Sequence, residues 1–296
     1  MISKTAMITI CGRPNVGKST LTNALAGEKI AIVSNKPQTT RNRITAVCQR
    51  GETQFVFLDT PGFHKPRTRL GDYMVNVVRQ SVADVDAVVL VVEPVASLGP
   101  QERELIASIK AANCPAVLAI NKLDTVEPEK LLAVIALYSE AYAFNAIVPI
   151  SAKTGDGVEE LLKELDKFAV ESPALFPEGV TTDQPEKQVC AELIREKLLL
   201  NLEREVPHGT AVEITRFSER DDGIIDLEAT IYCEKASHKG IIIGKQGAML
   251  KKISTMARID CEKFMGTKVF LTTWVKVKEN WRDSDFLIRN FGYQDT

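Results

Sequence analysis

A chain of 296 residues, 45% hydrophobic and 26% charged, is ordinary globular material and long enough for two domains with a sizeable core in each. Its net charge of −2 excludes any argument from overall basicity, so nucleic-acid binding has to rest on local charge. The longest apolar runs, such as 87–92, are too short to span a bilayer, and residues 1–11 lack the length and cleavage site of a signal peptide. The six cysteines (11, 48, 114, 190, 233 and 261) show neither C-x-x-C nor metal-ligand spacing, so buried free thiols in a cytoplasmic protein are expected.

The β-prone run 6–11 leads into Gly12-Arg13-Pro14-Asn15-Val16-Gly17-Lys18-Ser19-Thr20, which fits the phosphate-loop pattern G-x-x-x-x-G-K-[ST]. The two glycines let the backbone turn so that successive N–H groups face phosphate oxygens. A helix with Leu21, Ala24 and Leu25 on one side follows and presents its positive end to the same anion. Lys18 supplies a point charge to the terminal phosphates and Ser19 a hydroxyl for magnesium.

Residues 34–41 are polar and without periodicity; strands are expected at 44–49 and 54–58. The second ends in Asp59-Thr60-Pro61-Gly62, where a carboxylate at a strand tip can hold magnesium through water and Gly62 lets the backbone approach a γ-phosphate. Leu70, Met74, Val77, Val78 and Val82 form a helical core face, and 87–93 reads as a strand covered on both sides. Strands at 116–120 and 146–150 end in Asn121-Lys122-Leu123-Asp124 and Ser151-Ala152-Lys153; a helix on Val158, Leu161, Leu162, Leu165 and Phe168 ends near Glu171. Polar groups at these strand ends mark the carboxyl edge of an α/β, mostly parallel sheet with helices on both faces, where such folds bind ligands.

Asn121 to Asp124 selects the base. A fixed Asp124 carboxylate accepts from N1–H and the 2-amino group of guanine, whereas adenine leaves it without a donor, a discrimination of roughly a thousandfold or more. Asn121 and Lys122 brace the loop, the Lys122 stem lies over the base, and the Ala152 N–H meets the guanine O6.

Together these segments resemble the translation-factor-related GTPases, and G-R-P-N-V-G-K-S-T, T-T-R (39–41) and D-T-P-G-F (59–63) narrow the resemblance to the Era branch. The resemblance implies magnesium-dependent GTP hydrolysis and switch segments at 34–43 and 59–70. It also implies that Thr40, with Thr39 as the alternative, reaches magnesium and the γ-phosphate. Phe63 stands where many relatives place a water-orienting glutamine, so unaided hydrolysis is slow. In similar GTPases an asparagine at the position of Asn15 helps hold a catalytic potassium ion; the alternative role is a turn-former.

Residues 172–186, with three prolines, one glycine and no periodicity, read as a semi-extended linker between a GTP-binding domain (1–171) and a second domain (187–296). There a helix carries Cys190, Leu193, Ile194, Leu198 and Leu202 inward. Strands are expected at 210–217 and 224–233, the second alternating Ile225, Leu227, Ala229, Ile231 and Cys233 with a wet face. A short helix (237–243), Gly244-Lys245-Gln246-Gly247, a longer helix with Leu250, Ile253, Ala257 and Phe264 inward, and a strand (268–278) complete the order. This α+β order resembles a type II KH domain, whose glycine loop lets an RNA backbone lie close while Lys245 neutralises phosphate. Bases are then expected beside Ile242, Ile243 and the sheet edge, with Lys251 on the following helix. Residues 235–278 hold ten Lys and Arg against Asp260 and Glu262, a local electrostatic footprint for RNA. Phe270 and Trp274 are expected to pack, with stacking on bases as the alternative, His208 and His238 to serve turns or caps, and the aromatic tail from Asn280 to fold back onto the domain.

The whole chain thus resembles the Era family of bacterial GTPases with a C-terminal KH domain. That resemblance implies a GTP/GDP switch acting on the 3′ end of 16S ribosomal RNA in small-subunit assembly, cytoplasmic with peripheral association with the inner face of the cell membrane; a monomer is expected, though the sequence itself does not give the oligomeric state. The alternatives are a GTP-binding RNA anchor with little hydrolysis and a membrane-associated signalling GTPase.

Overall fold

The computed structural model describes residues 2–63, 66, 68–82 and 85–293. Two compact units divide it: residues 32–39 and 68–70 belong with 184–296, and the rest of the chain up to residue 183 forms the other.

The first unit alternates strands and helices as the sequence pattern requires: β1 (Lys4–Cys11), α1 (Lys18–Ala26), β2 (Ile44–Arg50), β3 (Thr53–Asp59), α2 (Arg69–Ser81), β4 (Ala87–Val92), α3 (Pro100–Ala112), β5 (Ala116–Ile120), α4 (Pro128–Ala141), β6 (Ala146–Pro149), α5 (Val158–Asp166) and β7 (Val170–Glu171). Among the described residues the sheet runs β2-β3-β1-β4-β5-β6, parallel except for β2, with β7 antiparallel to the start of β1. Every residue of β4 is buried because both sheet faces are covered. Val89 and Val91 join Ile8, Ile10, Leu21 and Leu161 on one side; Val88, Leu90 and Val92 join Val78, Leu105 and Ile109 on the other.

One local feature differs from the expectation and two add to it. Helix α5 stops at Asp166 rather than near Glu171, because Phe168 and Ala169 close a turn onto Leu165 and Asp166 and Val170–Glu171 then pair with β1. Helices α3 and α4 each begin on a proline (Pro100, Pro128), where the missing N–H forfeits no bond. The 172–186 stretch is bonded to the sheet: Gln54 accepts from the N–H groups of Leu175 and Phe176 (2.8 and 3.0 Å), and Val47 N–H donates to Thr181 O (2.7 Å).

The second unit consists of α6 (Glu186–Asn201), β8 (Ala211–Glu219), β9 (Ile225–Cys233), α7 (Ala236–Ile243), α8 (Ala248–Met265), β10 (Val269–Val277) and α9 (Asp285–Asn290). Its sheet is β10-β9-β8, with β10 parallel and β8 antiparallel to β9. Leu198, Ala229, Ile231, Ile253, Ala257 and Val275 fill the core between sheet and helices. The opposite face of β9 is less wet than its alternation suggests, since Thr230 and Tyr232 are buried. There the tail folds back as expected: Phe291 lies 4.6 Å from the Tyr232 ring, and the buried Trp281 donates Nε1–H to Gly209 O at 2.9 Å. Phe270 and Trp274 contradict the expectation that they pack; each is 58% exposed. His208 sits in the turn Pro207–Gly209 and His238 is buried in the first turn of α7. The cysteines are free thiols, all buried except the half-buried Cys48. Among the described residues no helix is long and apolar enough to cross a membrane.

Trp281 closes the aromatic cluster and satisfies a buried carbonyl at once. Trp281→Ala should therefore destabilise the second unit by about 3–5 kcal/mol, seen as an earlier midpoint in urea denaturation followed by circular dichroism.

Candidate nucleotide site and nucleic-acid loop

The turn from β1 into α1 needs glycine at Gly17, whose φ is 98° and whose missing Cβ would lie 2.2 Å from Asn121 Nδ2. Lys18 is buried and folds back so that Nζ donates to Gly12 O (3.2 Å) and Arg13 O (3.0 Å); burial pushes its pKa down. Val16 is buried, Pro14 and Thr20 are half-buried, and Asn15 is exposed with φ 66°. At the tip of β3, Asp59 Oδ2 accepts from Ser19 Oγ at 2.9 Å, and Ser19 Oγ lies 2.8 Å from Thr40 Oγ1.

Asp59 is wholly buried, and its Oδ1 has no hydrogen-bond partner among the described residues. Burial raises its pKa from 3.8 to about 6, against the opposing effects of Lys18 and of the hydrogen bond from Ser19. A serine hydroxyl, a threonine hydroxyl and a carboxylate with a spare buried oxygen are the hard donors magnesium takes, so the residues fit that ion. The Thr39 hydroxyl instead donates to Lys36 O at 2.7 Å, so Thr40 is the threonine brought to Ser19. After Asp59, Thr60 donates its hydroxyl to Ile10 O (2.8 Å), and Pro61 is buried. Gly62 is half-buried, and Phe63 donates its N–H to Gly12 O (3.2 Å) while its ring is buried beside Val75 and Val78. Residues 64, 65 and 67 of the expected second switch lie outside the described residues.

At the ends of β5 and β6, Asn121 spans two loops: Nδ2 donates to Val16 O (2.8 Å) and Oδ1 accepts from the Ala152 N–H (2.9 Å). The Ala152 N–H expected for guanine O6 is thus already engaged with Asn121, and a base has to share or displace that bond. Asp124 is exposed, and the buried Ser151 donates to its Oδ1 at 2.7 Å. Leu123 is half-buried and Lys153 exposed. Lys122 Nζ pairs with Glu93 Oε1 at 2.5 Å, and Glu93 lies 3.3 Å from Arg13. Glu93, and Glu102, which also pairs with Arg13, were missed by motif reading. The available signal was an acid at the tip of an otherwise apolar strand.

Within the second unit, residues 32–39 are held by α6. Val33 N–H donates to Glu196 Oε1 (2.9 Å), Lys36 Nζ to Leu199 O (2.5 Å), and the wholly buried Arg195 to the carbonyls of Gln38 (3.4 Å) and Thr39. Arg195, Glu196 and Lys197, three consecutive charged residues of α6, are all buried.

Helix α7 ends at Gly244 (φ 72°), where a Cβ would lie 2.7 Å from Met249 Cβ, so the loop passes too close for any side chain. Lys245 and Gln246 are exposed, Gly247 has φ 78°, and α8 begins immediately after it with Lys251 exposed. Ile243 is half-buried as a groove residue should be, but Ile242 is wholly buried and Ile241 is 50% exposed. The 100° helical step turns Ile242 into the core, so it supports the groove from beneath rather than lining it.

The family model described as "50S ribosome-binding GTPase" matches residues 7–122, and a KH domain model matches 205–282. GTPase Era of Ruminiclostridium cellulolyticum is 52% identical over 294 residues, covering 99% of both chains; that of Clostridioides difficile is 48% identical, also covering 99% of each. Among solved structures, a variant of Aquifex aeolicus Era bound to GDP and AlF4⁻ aligns with a TM-score of 0.95 and 36% identity, over 99% of this chain and all of that one. Era in complex with MgGDPNP and nucleotides 1506–1542 of 16S ribosomal RNA aligns equally well. At about half the residues identical to curated relatives over 99% of each chain, the chain belongs to the Era family of GTPases.

Proposed function

We propose that this chain is a magnesium-dependent GTP-hydrolysing switch that binds small-subunit (16S) ribosomal RNA near its 3′ end and assists assembly of the small subunit. The observation that carries the nucleotide half is the convergence of Ser19, Thr40 and Asp59 within 2.8–2.9 Å contacts at the carboxyl edge of the sheet. The relative bound to MgGDPNP and 16S nucleotides 1506–1542 supports the pairing of nucleotide and RNA.

In this reading residues 1–171 are the GTP-binding domain, 172–186 the connection and 187–296 the RNA-binding domain. The loop Gly12–Thr20 cradles the phosphates with its N–H groups, and Lys18 sets its charge against them. Ser19, Thr40 and Asp59 hold magnesium, which neutralises charge on the phosphate oxygens when bound. Thr60 and Pro61 fix the turn that brings the Gly62 backbone to the γ-phosphate. Asn121, Lys122, Leu123, Asp124, Ser151, Ala152 and Lys153 form the base site. Ser151 holds one Asp124 oxygen so that the carboxylate presents a fixed edge to guanine. Ile243, Gly244, Lys245, Gln246, Gly247 and Lys251 form the RNA loop over Ile242.

Because the buried Phe63 ring has no group to orient water, hydrolysis without help is slow. Asn15, exposed on the phosphate loop with positive φ, supports a potassium ion as the supplementary charge. Turnover should be faster in potassium than in sodium buffer, and Asn15→Ala should abolish the difference; equal rates for the natural chain in the two buffers would remove potassium from the mechanism.

The two binding sites should separate by mutation. In calorimetry, Asp124→Ala should lower GTP affinity about a hundredfold or more with little change toward ATP. Lys245→Glu should weaken RNA binding while GTP affinity holds; loss of both in either variant contradicts the assignment.

Asp59 gives a pH signature. Its folded pKa near 6 lies above the free value of 3.8, so its contribution to stability is fully present below pH 3.8 and lost as pH rises through 6. Nucleotide-free protein at pH 7.5 therefore bears up to about 3 kcal/mol of desolvation cost. Asp59→Asn should melt higher than the natural chain at pH 7.5, with the advantage fading toward pH 5, and should lose the stabilisation given by magnesium and GDP.

A further inference from the structure

Strand β10 lies at the edge of the three-stranded sheet. Its odd positions face the helices: Val269 and Val275 are buried, and Thr273 Oγ1 lies 2.8 Å from Ser254 Oγ on α8. The even positions Phe270, Thr272, Trp274 and Lys276 must then face the other way. Phe270 and Trp274 are each 58% exposed on this side, four residues and so about 13 Å apart. Two large exposed rings on an edge strand promote aggregation unless something covers them. The tail covers Tyr232 on the same sheet face but leaves these two open.

The surroundings favour RNA as what covers them. The guanidinium of Arg220 lies 5.2 Å from the centroid of the Phe270 ring, and Lys276 is exposed two residues beyond Trp274. The acids next to the rings are neutralised: Asp226 is held by Arg220 at 2.5 Å, and Glu228 has Arg216 at 3.6 Å. Helices α7 and α8, which carry the glycine loop, pack on the inner side of the same strand, so a single strand leaving that loop has a short path to the edge. A glycine loop of this kind clamps four nucleotides, whereas the RNA bound by the related Era spans nucleotides 1506–1542. Exposed aromatic rings in a basic setting are how single strands are held without reading sequence.

We propose that Phe270 and Trp274 form a stacking platform on the open face of the sheet, where bases of single-stranded RNA leaving the glycine loop are held. This rests on the reading of residues 244–247 as an RNA loop. Phe270 and Trp274 supply ring faces, and the exposed Lys276 supplies charge for the intervening phosphates, Arg220 being paired with Asp226.

The test uses the full chain with two probes: RNA of nucleotides 1506–1542, and tetranucleotides taken along it. Phe270→Ala with Trp274→Ala should weaken the long RNA about ten- to a hundredfold, leave the best tetranucleotide unchanged, and keep the salt slope because no charge is removed. Trp274→Phe should restore most of the affinity. Trp281 is buried, so in the natural chain the acrylamide-quenchable fluorescence reports Trp274 and should become protected by the long RNA. Unchanged binding of the long RNA, or a Trp274 still open to acrylamide in the complex, overturns the proposal. Equal loss on both probes overturns it too, by making the rings structural, as does RNA-independent self-association that the double variant abolishes. Lys245→Glu judges the loop separately: it should abolish tetranucleotide binding, and if it does not, the loop reading fails while the Trp274 signal still decides the platform.

Discussion

A carboxylate at Asp59 with no access to solvent is the constraint around which the first unit is arranged. Burying that charge is unfavourable, and Lys18 and the Ser19 hydroxyl offset it only in part, since the group still titrates near 6. Such an arrangement makes sense at the mouth of a site that takes up a divalent cation, where the same desolvation sharpens the attraction. The parallel sheet makes it affordable. β3 delivers Asp59 next to the end of β1, and β4, which is apolar throughout, insulates the pair without competing for hydrogen bonds.

The same edge ties the proposed base site to the phosphate loop. Asn121 leaves β5 and joins the phosphate loop at Val16 to the turn after β6 at Ala152, so three loops share one amide. Gly17 has no side chain because that amide occupies the space. In the proposed reading, phosphate binding and base selection are therefore coupled by packing, and a carboxylate held by Ser151 discriminates by geometry rather than by charge alone.

Much of this was legible in the sequence because it is local. The glycines, the strand-end acids and amides, and the unbroken run from Ala87 to Val92 each announce a backbone geometry within a few residues. What escaped was non-local. Nothing in the helical period of α6 says that Arg195 is buried against the Gln38 and Thr39 carbonyls, since an arginine between two apolar turns ordinarily faces water. Ile242 lies one helical step inside the expected groove, and the opening prolines of α3 and α4 are the local signal for those two helices. The fold class was readable; the network of Glu93 and Glu102 around Arg13 required the structure.

The second unit shows the limit of period-two reasoning most clearly. Alternation along β9 and β10 correctly separates a core face from an open face, but it cannot say how the open face is used. One region is closed by the chain itself, through Trp281, Phe291 and Tyr293 over Tyr232. Beside it, Phe270 and Trp274 stay in water although the tail carries apolar residues enough to cover more of the sheet; Phe286, on α9, is itself 70% exposed. A small α+β unit that leaves such rings bare forgoes burial worth about 1.5–3 kcal/mol for a large apolar side chain. The folded chain alone offers no return for that loss, and an unstacked base, apolar on its faces and charged along its backbone, is the ligand whose shape and chemistry match a ring flanked by Arg220 and Lys276.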